Sequence, residues 1–227
     1  MDHFLKRFTV IDFLSMFMPG GVLILALNYY MGGMTEPVCQ FFGNQILFIA
    51  VYFVAISYLS GMLLQEVSKF LEKFLIRKLD TVHNEWLSIP QMDIYYRAAF
   101  GRTIEQAKSQ YGTPKLGRQI YLYVSDPEIS GSKLSLFHAF YSMSRNGFIA
   151  SLLIFVISTL DQVSQDFFSI DGLMVPTFSL FFAFTMLLRS MRFYRITQER
   201  AYRDFLKLGE KEDHHISHSV RDDLSSE

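Results

Sequence analysis

One arginine in this chain stands where a membrane helix tolerates charge poorly. Arg145 is followed by Asn146, and only 14 apolar residues then separate the pair from Asp161. A helix needs roughly 20 residues to cross the hydrocarbon core. A span built here therefore draws Arg145 to the inner hydrocarbon boundary, where a guanidinium snorkels to the lipid phosphates or pairs with a carboxylate inside the bundle. Glu66, at the inner end of a second apolar run, and Asp12, at the inner end of a first, are the available carboxylates. Arg145, Glu66 and Asp12 thus form a candidate intramembrane charge cluster. Its chemistry is electrostatic, a structural pair or a gate, with snorkelling as the simpler outcome.

Other reactive residue types do not combine into a recognisable catalytic constellation. There is no HExxH zinc helix, no phosphate-binding Gly-rich loop and no GxSxG elbow. Ser60 precedes Gly61, but Tyr58 stands where an intramembrane serine protease would place the glycine of its Gly-x-Ser-Gly motif. His214 and His218 are one helical turn apart beside His215, yet the surrounding sequence is a polar tail. Asp80, His83 and Glu85 match no metal-ligand spacing. Cys39 is the single cysteine, so neither an intramolecular disulfide nor a multi-cysteine metal site can form. The expectation is a non-enzyme with no cofactor and no metal.

The elements that position Arg145 are legible from charge. Charged residues are missing from Phe13 to Thr35, Pro37 to Gln65, Asn146 to Leu160 and Gly172 to Leu188. Reading these as four transmembrane helices places all 21 Lys and Arg on one side, because the connections 31–44 and 161–171 contain none. Cytoplasmic loops retain Lys and Arg, so both termini and the long middle segment are predicted to be cytoplasmic. Lys6 and Arg7 precede the first run as in a signal peptide, but no convincing cleavage site follows, which predicts an uncleaved first span.

The predicted fold is all-α, with two transmembrane hairpins at 1–64 and 134–188. Asp12 can cap the first helix, and Pro19, Gly20 and Gly21 predict a kink within it. The second helix meets no breaker and should continue to Leu79, its apolar face carrying Phe70 and Phe74. A cytoplasmic extension and insert fills 65–133. Within it Ile94 to Gln110 reads as helix weakened at Gly101, Gly112 to Gly117 as a loop, and Gln119 to Val124 as a short strand or helical turn. So small a segment has a marginal core and should need helix two, the C-terminal helix or a neighbouring subunit. A cytoplasmic helix is expected at 189–208 and a disordered tail at 209–227.

Partners follow from what remains exposed in this layout. Basic clusters after the second and fourth spans favour anionic lipid head groups, and no nucleic-acid module accompanies them. Phe70, Phe74, Trp86, Tyr95, Tyr96, Tyr121 and Tyr123 make a candidate partner surface. Ser57 with Gly61, and Gly147 with Ser151, have the spacing of close helix contacts, more simply within one chain than between copies.

In its two hairpins, cytoplasmic insert and cytoplasmic ends the chain resembles small four-pass membrane subunits and effectors of bacterial antiviral defence operons, the group that includes the Kiwa membrane component. The likeness is architectural and transfers no residue roles. It implies an oligomeric inner-membrane sensor or scaffold that holds a cytoplasmic effector protein. The alternatives are a pore-forming effector or ion channel, and a small transporter or membrane enzyme. If Arg145 belongs to the bundle, Arg145→Ala weakens assembly in detergent more than Arg189→Ala, and equal assembly of the two variants counts against pairing.

Overall fold

The structure is a computed structural model that describes residues 13–30, 33, 37, 40–41, 45–76, 80–125, 134–164 and 170–224, with backbone alone at 71–76, 80–82, 114, 135, 170–171 and 211–224. Asp12 and Cys39 lie outside these residues. Among the described residues all regular structure is helical. A π-helical turn, Phe13–Phe17, leads into α1 (Met18–Tyr30). There follow α2 (Ile46–Ile76), α3 (Asp80–Leu87), α4 (Pro90–Phe100), α5 (Ile104–Tyr111), α6 (Thr113–Val124), α7 (Leu134–Ser164) and α8 (Ile170–Leu224). Four helical stretches are long and apolar enough to cross a membrane: Phe13–Tyr30, Ile46–Phe70, Leu136–Ser164 and the segment beginning at Gly172. The chain is an all-α integral membrane protein.

The helices divide between two compact units, one made of Met1–Phe74 with His138–Phe193 and the other of Leu75–Phe137 with Tyr194–Glu227. The first is the membrane bundle, and its packing inverts the pattern of a water-soluble core. Small and polar residues face inward, among them Ser57, Ser68, Ala150, Ser151, Ser158 and Ala183, while Phe178, Phe181 and Phe184 face outward. Lipid tails are as apolar as Phe, so burying Phe inside gains little there, whereas small residues let backbones approach. The closest approach joins the first two helices. A Cβ on Gly20 would overlap the Ser57 carbonyl, and one on Gly61 would overlap the Met16 carbonyl. The Ser57-xxx-Gly61 spacing is thus used inside one chain. Gly147 faces Met186 at ordinary contact distance, and Ser151 donates to the carbonyl of Gly147 on its own helix (2.7 Å).

The second unit is a helical domain with an orthodox core. Leu87, Met92, Tyr96, Ile104, Leu116, Ile120 and Val124 of the insert close over Ala201, Tyr202 and Phe205 of α8. The C-terminal helix is therefore the surface that completes the marginal insert. Gly101 ends α4 in the left-handed conformation (φ 69°), a position that disfavours side chains bearing a Cβ. Thr103 and Gln106 then start α5 with a capping box, while Asp93 accepts from the Ile104 N–H at 2.7 Å.

The helix expected from Ile94 to Gln110 is instead two, α4 and α5, because Gly101 caps the first and Thr103 starts the second, and other expectations also differ from this fold. The expected loop from Gly112 to Gly117 is mostly the beginning of α6, with Pro114 in its first turn, where the missing N–H costs nothing. At Gln119 to Val124, read as a short strand or a helical turn, the helical alternative holds, as the end of the same helix. Gly117 is a packing residue: a Cβ there would meet the His83 ring at 2.5 Å and the Tyr202 hydroxyl at 2.9 Å. Lastly, α8 does not stop at 208 but runs to Leu224, through the stretch expected to be a disordered tail. Gly209 is buried within α8 against the Tyr95 ring, which a Cβ at this position would overlap.

Trp86, the single tryptophan, stacks on Tyr202 (6.0 Å between centroids, 8° between planes) and so reports on this core. Gly209→Val should destabilise the domain by about 1–3 kcal/mol, the usual cost of overpacking. The readout is a lower thermal midpoint in Trp86 fluorescence, with Lys207→Ala as an exposed control. Unchanged midpoints would contradict the close Gly209–Tyr95 contact.

Candidate functional site

The bundle's polar chemistry converges on Asn146, one residue beyond the arginine singled out above. Pro19 has no N–H, so the Ser15 carbonyl four residues earlier lacks its α-helical donor. The π-helical turn Phe13–Phe17 occupies this place, where the sequence predicts a kink. Asn146 Nδ2 donates to the Ser15 carbonyl at 2.7 Å from across the bundle. A carbonyl can only accept, which fixes the orientation of the Asn146 amide and turns its Oδ1 toward α2. There the Ser68 hydroxyl donates to Oδ1 at 2.7 Å, sharing its one hydrogen with the Gln65 carbonyl at 2.9 Å. Asn146 and Ser68 are fully buried, and Ser15 nearly so. One side chain on α7 therefore ties the first helical segment to α2.

Arg145 lies beside this junction and is 5% exposed. Its guanidinium carbon sits 5.2 Å from the centroid of the Tyr141 ring, one turn back on α7, where the ring face favours a cation. Of the predicted cluster, Glu66 is exposed and paired with Lys69 on its own helix. That corrects the Glu66–Arg145 pairing: Glu66 points away from the inside of the bundle, where water makes its charge inexpensive, and its pair with Lys69 is a surface pair. Asp12 falls outside the described residues.

The candidate partner surface is also largely redirected. Tyr96 is fully buried, and its hydroxyl donates to Gln119 Oε1 at 2.8 Å. Trp86, Tyr95, Tyr121 and Tyr123 are half-buried against the domain core, with Tyr123 edge-on to Phe205 at 5.7 Å. Burial pushes the pKa values of the Tyr96 and Tyr121 hydroxyls up, the former against an opposing pull from Arg102. Aromatic residues in so small a domain are needed to build it. Phe70 remains exposed, and the Phe74 side chain is outside the described residues.

A second polar centre, not foreseen, sits inside the helical domain. His83 is buried with Nδ1 2.6 Å from the Tyr202 hydroxyl and Nε2 3.3 Å from the Tyr194 hydroxyl. Neutral imidazole offers one donor and one acceptor, and tyrosine hydroxyls can take either complementary role. The close approach of Gly117 leaves no space for a ligand against the ring. This is an internal lock between α3 and α8. Among the described residues no group of His, Cys, Asp and Glu is arranged to hold a metal ion. The backbone at His214, His215 and His218 belongs to α8.

These features define a four-span, all-α membrane protein whose longest loop and C-terminal helix build a separate helical domain. No family model, curated protein or solved structure matches the chain.

Asn146→Leu keeps the branched shape but strands the Ser15 carbonyl and leaves the Ser68 hydroxyl only the Gln65 carbonyl, at a cost of about 1–3 kcal/mol. The variant should unfold at lower denaturant concentration in detergent. Pro19→Ala restores an N–H for Ser15 and should recover part of that loss in the Asn146→Leu background. Strictly additive effects of the two substitutions would refute the link.

Proposed function

We propose that the protein is an oligomeric inner-membrane sensor or scaffold that anchors and controls a cytoplasmic protein, in the antiviral setting implied by its resemblance to four-pass defence subunits. The observation that carries this reading is α8. One uninterrupted helix supplies Ala183 and Ser190 to the membrane bundle and Tyr202 and Phe205 to the domain core. In the proposed role a signal at the membrane bundle reaches the domain through this shared helix, and any such coupling is reciprocal.

Charge supports the same orientation. The connections 31–44 and 161–171 contain none of the 21 Lys and Arg, which favours a cytoplasmic domain and cytoplasmic termini. With most of the predicted aromatic surface used in the core, the partner-facing residues shift to Ile94 and Leu122, the large exposed apolar side chains of α4 and α6.

Mass measurement after purification in mild detergent, with identification of co-purifying proteins, tests the reading. A stable soluble partner that is lost from a folded Ile94→Asp/Leu122→Asp variant is the expected result. A partner-free oligomer that conducts ions in liposomes would overturn it. Topology has its own check, since a membrane-impermeant maleimide should label Cys39 in intact spheroplasts and fail to label it in inside-out vesicles.

A further inference from the structure

The membrane end of α8 carries two arginines that no carboxylate among the described residues neutralises. From Gly172 to Gln198 there is no Asp or Glu, so neither Arg189 nor Arg192 has a carboxylate one turn away on its own helix. Among the described residues no other helix supplies one. The basic residues nearby are differently placed. Arg195 is held by Glu199 at 2.7 Å, Arg200 lies 3.8 Å from Asp204, Lys69 is paired with Glu66, and Arg145 is buried. Arg189 and Arg192 are both exposed, one turn apart, where the apolar run ending at Leu188 gives way to charge.

Arg189 is also oriented. Its guanidinium carbon lies 5.4 Å from the centroid of the Phe193 ring, and Phe193 stacks on Phe140 of α7 (5.4 Å between centroids, 22° between planes). A guanidinium resting on a ring keeps its planar edge and N–H fork available, the geometry that takes two oxygens of one phosphate. Arg189 follows directly on the charge-free run Gly172–Leu188, a position from which an arginine reaches lipid phosphates. We infer that Arg189 and Arg192 bind the phosphate of an anionic glycerophospholipid, with Phe140 and Phe193 holding Arg189 in position. This goes beyond the scaffold reading and does not depend on it.

Native mass spectrometry of the detergent-solubilised full chain, titrated with phosphatidylglycerol and with phosphatidylcholine, tests the proposal. The expected result is preferential retention of phosphatidylglycerol, undisturbed by excess inorganic phosphate. Near an anionic surface each basic residue contributes roughly fivefold, so Arg189→Gln/Arg192→Gln should lower that preference about 25-fold. Arg195→Gln should leave it intact, because Glu199 already engages that guanidinium. Phe193→Leu should lower it while preserving every charge. If the double variant does not fold, Arg192→Gln alone should show the roughly fivefold loss. Equal loss on Arg195→Gln, displacement by inorganic phosphate, or an unchanged preference in the folded Arg189/Arg192 variants would overturn the assignment.

Discussion

A backbone carbonyl buried inside a helix bundle has no water to turn to, and Pro19 creates one that its own helix does not satisfy in the α-helical manner. The bundle is organised around that constraint. Asn146 gives one amide hydrogen to the Ser15 carbonyl and takes the Ser68 hydroxyl on its oxygen, so a local defect in the first helix becomes a three-segment junction. Such hydrogen bonds are individually modest in membranes, averaging about 0.6 kcal/mol in one well-studied bundle. Their larger role is specificity: few rotations of α7 would present Asn146 to both partners at once. The neighbouring Gly20–Ser57 and Met16–Gly61 approaches require the same registration of the first two helical segments, through backbone sterics.

Two solvents account for the opposite construction of the two units. Toward lipid, Phe is inexpensive to expose and Ser is useful inside, so the bundle leaves Phe178, Phe181 and Phe184 exposed. Toward water the preference reverses, and the helical domain spends Tyr96, Trp86, Tyr123 and Phe205 on its interior. The His83 bonds to Tyr202 and Tyr194 add direction to that core, since an imidazole between two hydroxyls constrains the rotation of α8 as apolar contact alone does not. The proposed scaffold role draws on α8 belonging to both units, and the proposed lipid site lies on that helix.

The four spans were legible because hydrocarbon excludes charge, and charge can be counted along a chain. The close contact at Gly61 and the need of the insert for the C-terminal helix were legible for related reasons, through small-residue spacing and the small size of the segment. Glycine was misleading. Gly117 and Gly209 have the composition of a loop and a helix end, but each sits in a helix because a ring lies where its Cβ would be. The aromatic residues of the insert misled similarly, since composition alone does not distinguish a sticky surface from a small core.

The sequence by itself determined the all-α class, the number of spans and the segregation of basic charge, because these depend on solvent preference summed residue by residue. Tertiary structure decided which polar residue mattered. Arg145 drew notice through its charge, and the structure placed it against Tyr141 while assigning Glu66 to Lys69. Asn146 was only the neighbour of Arg145 in sequence, and folding brings Ser15 and Ser68 to it from 131 and 78 residues away. A hydrogen bond between distant residues leaves no local mark on the chain, and only folding shows which donor meets the carbonyl that a proline released.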